Sequence, residues 1–485
     1  MADNVIKALN KTVKKLKRVI DAAIEKSQFE KALSSISVSA DMLYISNQYY
    51  CDEDLENGIL KISNKLFPEK AEMQPDDSVI VFYDGFGLNT RGLAQIYLKA
   101  LSKIGKVIYV TDERHKVRIP DIQRIVLESG RICYLKKSSF TQQIFELNGI
   151  IENVRPKYIF MYTLPGDVVA PVVLNRYKGI AKRFQINLTD HAFWLGVNSF
   201  DYCLEFRNYG ATITNKYRGI SLENIKILPF YPLINFNSEF KGYPFIFNED
   251  KQKLIFSGGA LYKTLGGGNK YYNLVNYLLE KYSDVVFWYA GSGDSTEIKK
   301  IIDRFPGRAF LTAERDDLFQ VLKRCYFYLS TYPVSGGLMF QYSAMAGKIP
   351  LTLKFDDCDS DFLINQEQLN IEYNSYEDVC DRIDYLMNNP LYVEQASNLL
   401  KSSVIAPEVF EKQLKNILES GYSDYKVNIG DYDTESFRET YLERLKRSDI
   451  NFCIAQKKFL KYGVKIFPVK TAVGCFKKLF KKLKG

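Results

Sequence analysis

Short apolar runs alternate with amphipathic segments along most of the chain between residues 78 and 405. The first run, VIVFYD (79–84), leads into a glycine loop and a helical segment (95–104), and KVIYVTD (106–112) follows. Apolar runs of this length are typical of strands buried on both faces of a parallel sheet, and the segments between them predict β-α-β units. The other predicted strands are 131–135, 158–162, 184–187, 202–206, 225–228, 254–259, 285–291, 308–313, 326–330 and 350–353.

A Pro- and aromatic-rich connector, 229–245, separates two series of these strands. The pattern predicts an α/β protein with two Rossmann-like domains. Apolar residues at helical spacing predict an N-terminal helical extension, and a linker rich in Pro and acidic residues (68–77) follows it. Our predicted boundaries are 1–70 for the helical region, 78–235 and 250–405 for the two domains, 406–448 for helices packing back across both, and 451–485 for a basic tail.

Composition narrows the class of protein. No run of 18 apolar residues occurs, which predicts no transmembrane helix, and the N-terminal segment is too charged for a signal peptide. The eight cysteines form no CxxC pair and predict reduced thiols in a cytosolic protein. Ten lysines and no acidic residue fall within 451–485, so the net charge of +9 leaves about −1 for the remaining residues. The basicity therefore belongs to the tail and does not indicate a nucleic-acid-binding protein.

The segment from Pro333 to Pro350, PVSGGLMFQYSAMAGKIP, carries the first candidate chemistry. Gly336 and Gly337 stand where a strand-like run gives way to a helical one. A glycine turn that opens a helix leaves backbone N–H groups pointing outward at the positive end of the helix dipole. The segment therefore predicts a phosphate site in the second domain.

This segment resembles the diphosphate- and ribose-binding helix of GT-B glycosyltransferases. VFWYAGSGD (286–294) and SGGALYKTLG (257–266) resemble the strand-and-loop elements of the same donor domain, and the resemblance covers roughly residues 78–445. The segments are most similar to the donor domains of glycosyltransferase families 1 and 4, with a weaker similarity to the O-GlcNAc-transferase-like branch. It implies two domains that face a cleft, and Lys263 as a catalytic group that receives the diphosphate. The implied donor contacts are Gly258, Gly259, Tyr262, Gly291, Ser335, Gly336, Gly337, Leu338 and Met339.

The ribose and base contacts are less regular. The family position that binds ribose is usually acidic, and here it is Ser343, with Gln341 nearby. The carboxylate pair of the retaining Glu-x7-Glu group is absent. By family analogy the base lies against the loop after strand 308–313, which makes Ala313, Glu314 and Arg315 candidates without distinguishing uracil from guanine.

His191 is the candidate base for the acceptor hydroxyl. It follows the predicted strand 184–187, and ligand crevices form at the carboxyl ends of parallel strands. Histidine suits proton abstraction near neutral pH, Asp190 could orient it, and Phe193 and Trp194 could stack on a sugar. Asp190 remains an alternative base, with His191 structural.

The glycine loop after the first strand, 84–95, is a second candidate. Gly87, Asn89, Thr90 and Arg91 are predicted to line the cleft on the acceptor side. Neither a metal nor another cofactor is expected, because GT-B enzymes generally stabilise the diphosphate with helix dipoles and basic groups.

The tail predicts a short cationic amphipathic helix that lies on an anionic membrane surface. Its predicted membrane contacts are Phe476, Lys477, Lys478, Leu479, Phe480, Lys481 and Lys482.

Together these features predict an inverting hexosyl- or N-acetylhexosaminyltransferase on the inner face of the plasma membrane. The donor would be a nucleotide-diphosphate sugar such as a UDP-sugar. The acceptor would be a lipid-linked or polysaccharide glycan of the cell envelope, such as capsule or lipopolysaccharide. The alternatives are a protein glycosyltransferase, a nucleotide-sugar epimerase and a non-catalytic nucleotide-sugar-binding subunit.

Overall fold

The computed structural model divides the chain into two compact units. Unit 1 comprises residues 1–230, 407–430 and 452–485, and unit 2 comprises 231–406 and 431–451. The residues that the structure describes are 2–89, 92–136, 138–354, 361–364, 366–435, 438–439, 460, 464 and 468–483.

Unit 1 begins with three helices, α1 (Ala2–Glu25), α2 (Phe29–Ser46) and α3 (Glu53–Leu66). Apolar residues of α1 at helical spacing, Leu9, Val13 and Leu16 among them, are buried. Asp52 caps α3 by accepting a hydrogen bond from the Leu55 amide at 3.2 Å. The helical extension that the periodicity predicts is therefore present, and it clusters with the first sheet.

The sheet of unit 1 has seven parallel strands in the order β3-β2-β1-β4-β5-β6-β7. Val81 of the first strand pairs with Ile108 on one side and Ile159 on the other. All seven strands match predicted runs to within a few residues, because helices cover both faces of a parallel sheet and its strands are therefore rich in apolar residues. The strands are β1 (Asp76–Asp84), β2 (Lys106–Asp112), β3 (Arg131–Leu135), β4 (Pro156–Tyr162), β5 (Lys182–Ile186), β6 (Tyr202–Glu205) and β7 (Ile225–Ile227).

The helix after the second strand series, α15 (Pro407–Ser420), belongs to unit 1 rather than to unit 2. Phe410 packs edge-to-face on Tyr97 with 5.2 Å between ring centroids, and Lys182 donates to the Leu418 carbonyl at 3.0 Å. The other helices of this unit are α4 (Leu93–Ser102), α5 (Pro120–Leu127), α6 (Phe140–Val154), α7 (Val169–Asn175) and α8 (Asn208–Lys216), with 3₁₀ segments at Glu113–Arg118 and Leu222–Asn224.

The sheet of unit 2 has six parallel strands in the order β10-β9-β8-β11-β12-β13. The last of them spans two residues and has no apolar run, so the sequence pattern does not predict it. The strands are β8 (Lys253–Gly258), β9 (Val285–Ala290), β10 (Ala309–Thr312), β11 (Phe327–Leu329), β12 (Pro350–Leu353) and β13 (Glu372–Tyr373).

The aromatic connector packs onto unit 2 and completes its core. Phe245 stacks on Phe310 with 3.9 Å between centroids and meets Trp288 edge-on at 5.3 Å. The helices of this unit are α9 (Lys270–Lys281), α10 (Thr296–Arg304), α11 (Leu318–Arg324), α12 (Gly337–Met345), α13 (Tyr376–Asn388) and α14 (Pro390–Ser402), with 3₁₀ segments at Leu261–Thr264, Gly267–Asn269 and Gln366–Gln368.

The tail contains a C-terminal helix, Pro468–Leu483. Thr471 on this helix is buried, whereas Phe476 and Leu479 are 62% and 57% exposed. Among the described residues, no helix combines the length and the apolar character that crossing a bilayer requires.

Candidate active site

The order of strands in unit 2 reverses between β8 and β11, which are neighbours although two other strands separate them in sequence. Open parallel sheets bind ligands at the carboxyl edge next to such a reversal. The loop after β8 carries Lys263, and the loop after β11 carries Gly336. The Val334 amide donates to the Lys263 carbonyl at 3.3 Å, so the two loops are joined at this point.

Helix α12 begins immediately after the second loop. Gly336 precedes it with extended backbone angles and provides no side-chain cap. The first intrahelical hydrogen bond runs from the Phe340 amide to the Gly336 carbonyl at 3.1 Å. The amides of Gly337, Leu338 and Met339 therefore precede the hydrogen-bonded ladder and lie at the positive end of the helix dipole.

Lys263 adds a full positive charge at the same end. Its Nζ lies 3.3 Å from the position that a Cβ on Gly336 would occupy. A cation beside a helix N-terminus raises the local positive potential, which favours a multiply charged anion. The structure thus brings together the two groups that the sequence predicts for the diphosphate.

The glycines around this site permit close packing of its loops. A Cβ on Gly258 would lie 3.6 Å from Cε of Met339 and 3.0 Å from the Ala290 carbonyl oxygen, and one on Gly291 would overlap the Gly259 carbonyl. A Cβ on Gly337 would reach 2.7 Å from the ring of Phe362. These positions need glycine for packing, whatever they bind.

Two residues predicted to contact the nucleotide, Ser343 and Arg315, bind other groups of unit 2 instead. Ser343 is fully buried, and its hydroxyl donates to the Lys348 carbonyl at 2.7 Å, which corrects the prediction of a ribose contact. Arg315 holds Asp317 through Nε at 2.6 Å and Nη2 at 2.5 Å. Although burial alone would raise the pKa of Asp317, hydrogen bonds from Arg315 and from the amide of Lys241 lower it, so the ion pair is stable.

Other predicted donor contacts remain accessible. Tyr262 is 37% exposed, Ser335 is half-buried, and Ala313 and Glu314 are exposed beyond the end of β10. The Ser292 hydroxyl donates to Glu314 at 3.3 Å, which links the loops after β9 and β10.

His191 lies beyond the carboxyl end of β5 in unit 1, with 29% of its side chain exposed. Its Nδ1 is 3.3 Å from Asp190, and its backbone carbonyl accepts a hydrogen bond from Asn47 at 3.1 Å. Asp190 is buried and accepts a hydrogen bond from Nε of Arg207 at 2.7 Å. Burial alone would raise the pKa of Asp190, but the charge of Arg207 and the hydrogen bonds from His191 and Arg207 hold it well below its usual range.

These contacts make Asp190 a poor base. A buried carboxylate with a depressed pKa and a bound guanidinium holds protons weakly, so it suits the orientation of His191 better than proton abstraction. Of the two alternatives that the sequence leaves open, this geometry favours His191 as the base.

A network of charged residues that the sequence did not predict supports the loop that carries His191. Nη2 of Arg218 donates to the carbonyls of Asp190 at 3.1 Å and Ala192 at 2.7 Å. Glu205 accepts from Asn187 at 2.8 Å and from Thr214 at 2.6 Å, and burial raises its pKa. In the sequence, Glu205 is an acidic residue at the end of an apolar run. Nothing in that local pattern indicates its partners.

The predicted stacking residues beside His191 belong to the core. Phe193 and Trp194 are 0% and 1% exposed. Trp194 packs against the guanidinium of Arg218 at 4.8 Å and against Phe200 at 6.0 Å. The prediction that they stack on a sugar is therefore wrong, because neither ring reaches the surface.

The glycine loop of unit 1 is only partly as predicted. Asn89 is a structural residue, because its side chain binds Asp121 at 2.5 Å and accepts from the Asp121 amide at 3.1 Å, which caps α5. Gly87 has a φ of +54° and packs against His115. Thr90 and Arg91, also predicted to line the cleft, lie outside the described residues.

No protein-family model matches the sequence, and no curated protein matches it either. Solved structures do match. A mutant O-GlcNAc transferase from Thermobaculum terrenum has 12% identity and a TM-score of 0.51 over 92% of this chain and 85% of that one. A glycosyltransferase from Rickettsia africae has 10% identity and a TM-score of 0.52 over 71% and 98%. Anabaena Alr3699/HepE, solved with UDP-glucose, has 12% identity and a TM-score of 0.51 over 70% and 99%.

The chain has the GT-B fold. Its two parallel sheets, with helices between the strands, are the two Rossmann-like domains of that fold. The fold prediction is confirmed, and the N-terminal helical region contacts the loop that carries His191 through Asn47, the residue that ends α2.

Helix α3 also holds that loop through a buried acid. Glu56 accepts a hydrogen bond from the Gly196 amide at 2.9 Å, and burial raises its pKa to about 7. Because the folded pKa exceeds the unfolded value of 4.5, the folded state binds the proton more tightly, and stability falls as pH rises from about 4.5 to 7.

We expect Glu56→Gln to remove this dependence. Relative to the native protein, the variant should gain on the order of 1–3 kcal/mol of unfolding free energy between pH 5 and 8, measured by urea denaturation. The matched control is Glu53→Gln, which removes an exposed carboxylate from the same helix. Parallel profiles for native protein and Glu56→Gln would contradict the prediction.

Proposed function

We propose that this protein is a glycosyltransferase that moves a sugar from a nucleotide-diphosphate-sugar donor to an acceptor hydroxyl. The observation that carries the proposal is the position of Lys263 Nζ beside Gly336 at the N-terminus of α12. Negative charge grows on the leaving diphosphate during sugar transfer, and preorganised amides with a lysine stabilise it.

The acceptor side of the reaction belongs to unit 1. His191 would take the proton of the acceptor hydroxyl while Asp190, held by Arg207, fixes the orientation of the imidazole. A base that activates an external hydroxyl for direct displacement leads to inversion at the sugar carbon. A hexose or N-acetylhexosamine on UDP is the donor we favour, and UDP-glucose is bound in the similar structure of Anabaena Alr3699/HepE.

Thermal-shift measurement against a panel of nucleotide sugars tests donor use. We expect one UDP-sugar to raise the melting temperature more than the same sugar without UDP does, because the diphosphate provides most of the contact between donor and protein. Incubation with that donor alone separates the main alternative, since an epimerase would convert it without an acceptor. A polypeptide acceptor would instead indicate a protein glycosyltransferase, and donor binding without any transfer would indicate a non-catalytic subunit.

We further propose that the tail holds the enzyme on the inner face of the plasma membrane, where a lipid-linked cell-envelope glycan would be the acceptor. The C-terminal helix exposes Val469, Phe476 and Leu479 while Thr471 is buried. Lysines 477, 478, 481 and 482 stand among these apolar residues in the sequence. An exposed apolar stripe with interspersed lysines suits an anionic lipid surface.

Replacing these four lysines by glutamine should weaken binding to vesicles that contain anionic lipid about 10²–10³-fold, because each lysine near the surface contributes about 1 kcal/mol. The measurement is co-sedimentation with phosphatidylglycerol vesicles. The matched control replaces the exposed lysines 7, 11, 14 and 15 of α1, which changes the net charge equally and should have a much smaller effect. Equal losses in both variants would show that net charge, not the tail, governs binding.

A further inference from the structure

Unit 1 has a strand reversal of its own, between β1 and β4. The glycine loop that follows β1 therefore lies where a parallel sheet binds ligands. His191 follows β5 and lies farther along this edge. The other histidine of the chain, His115, lies in the 3₁₀ segment after β2, and its ring contacts the glycine loop at Gly87.

His115 and the glycine loop form a rigid unit. A Cβ on Gly87 would lie only 2.0 Å from Cγ and Nδ1 of the imidazole, so only glycine permits this contact. Asp84 is buried and accepts hydrogen bonds from the amides of Phe86 at 2.8 Å and Gly87 at 2.9 Å, and from the Tyr109 hydroxyl at 2.6 Å. The loop is thereby held at the end of β1.

The hydrogen bonds also define the tautomer of His115. The Thr111 hydroxyl donates its only hydrogen to the Asp84 carbonyl at 2.6 Å. The same oxygen lies 2.7 Å from Nδ1 of His115, so Nδ1 must carry the hydrogen and donate it. Nε2 therefore carries the lone pair.

The surroundings favour the neutral form of this imidazole. Burial lowers the pKa of His115, and the charges of Arg114 and Arg118 act in the same direction, while Asp112 opposes them. Asp112 is itself paired with Arg114 at 2.5 Å. The side chain is half-buried, and within the described part of the chain the only hydrogen bond to its ring is the one at Nδ1.

We propose that Nε2 of His115 accepts a hydrogen bond from a hydroxyl of the acceptor, which makes His115 a specificity-determining residue for a glycan acceptor. This inference rests on the proposed function. A lone pair at Nε2 receives a hydroxyl hydrogen and repels the oxygens of a phosphate or carboxylate, so the group in contact is a neutral hydroxyl. Strands β2 and β5 are three strand spacings apart, about 14 Å, so His115 and His191 serve different parts of the ligand.

The chain contains only two histidines, which makes imidazole NMR decisive. In protein labelled with ¹⁵N-histidine, we expect one ring to show the Nδ1–H tautomer and a pKa below 6.5, and His115→Gln should remove that signal. The probes are the p-nitrophenyl β-glycosides of glucose, galactose and N-acetylglucosamine. At least one should shift the Nε2 resonance of His115 saturably. An Nε2–H tautomer, or no shift with any of the three, overturns the proposal.

Two substitutions separate ligand contact from structural support. The oxygen of Gln can replace Nε2 as an acceptor, whereas Asn can replace only the Nδ1 contact with Thr111. His115→Asn should weaken glycoside binding about 3- to 10-fold, the usual value of one hydrogen bond, and His115→Gln should retain most of it. Donor affinity should be unchanged in both. Equal losses in both variants would indicate a structural role and overturn the proposal.

Failure of the proposed function can be distinguished from failure of the His115 proposal. If no nucleotide sugar stabilises the native protein, glycosyl transfer is wrong whatever the histidine spectra show. If a donor binds and is transferred while the His115 resonance ignores every glycoside, only the His115 proposal is wrong.

Discussion

The His191→Ala variant is expected to transfer sugar about 10²–10⁴ times more slowly than the native protein, the usual size of a general-base contribution. Donor binding should be unaffected, because the groups proposed to hold the diphosphate belong to α12 and to the loop that carries Lys263. The measurement is UDP release with donor and acceptor at saturation, together with donor affinity by thermal shift.

Asn198 offers a matched control. Its side chain is exposed in the same loop, so Asn198→Ala should leave transfer unchanged. Native turnover in His191→Ala would remove the base from this loop, since Asp190 is buried against Arg207 and cannot replace it.

Lys263→Ala should weaken nucleotide-sugar binding about 10- to 100-fold, because a charge-assisted hydrogen bond to phosphate contributes about 1.5–3 kcal/mol. Turnover should fall further, by about 10²–10³-fold, since the lysine meets more charge in the transition state than in the bound donor. Isothermal titration with UDP measures the first effect, and steady-state kinetics measure the second.

The comparison for this variant is Lys270→Ala. Lys270 begins α9 a few residues later and is exposed, so its loss should change neither quantity. Lys263→Arg keeps the positive charge but changes the shape of the group that carries it. Its donor affinity and turnover should lie between those of the native protein and Lys263→Ala. A donor that binds native protein and Lys263→Ala equally well would show that the phosphate site lies elsewhere.

Most of the fold could be predicted from the pattern of apolar residues. Parallel strands covered by helices on both faces are rich in apolar residues, and twelve of the thirteen strands in the described part of the chain coincide with a predicted run. The exception is β13, which has two residues and is a strand only because it pairs with β12. The opening of α12 was also predictable, because a glycine turn before a helix is a local feature.

The errors at the site share one cause. Ser343, Asn89, Phe193 and Trp194 are residue types that bind sugars and nucleotides, and each lies in a segment that follows a strand of a parallel sheet. Each finds a partner or a cavity inside its own unit instead: Ser343 binds the Lys348 carbonyl, Asn89 caps α5, and the two rings fill the core. Sequence shows the chemistry that a side chain offers, but its partner comes from elsewhere in the chain.

Local spacing and residue type along the chain were enough to predict the α/β class, the two strand series, the glycine-opened helix and the candidate His191, and the resemblance to GT-B donor domains added Lys263. The order of strands, and with it the reversals at β8/β11 and β1/β4, became known only from the tertiary structure. That structure also decided that Arg207 holds Asp190, and that Thr111 defines the tautomer of His115. Strand order and hydrogen-bond partners result from packing between residues distant in sequence, which no local pattern contains.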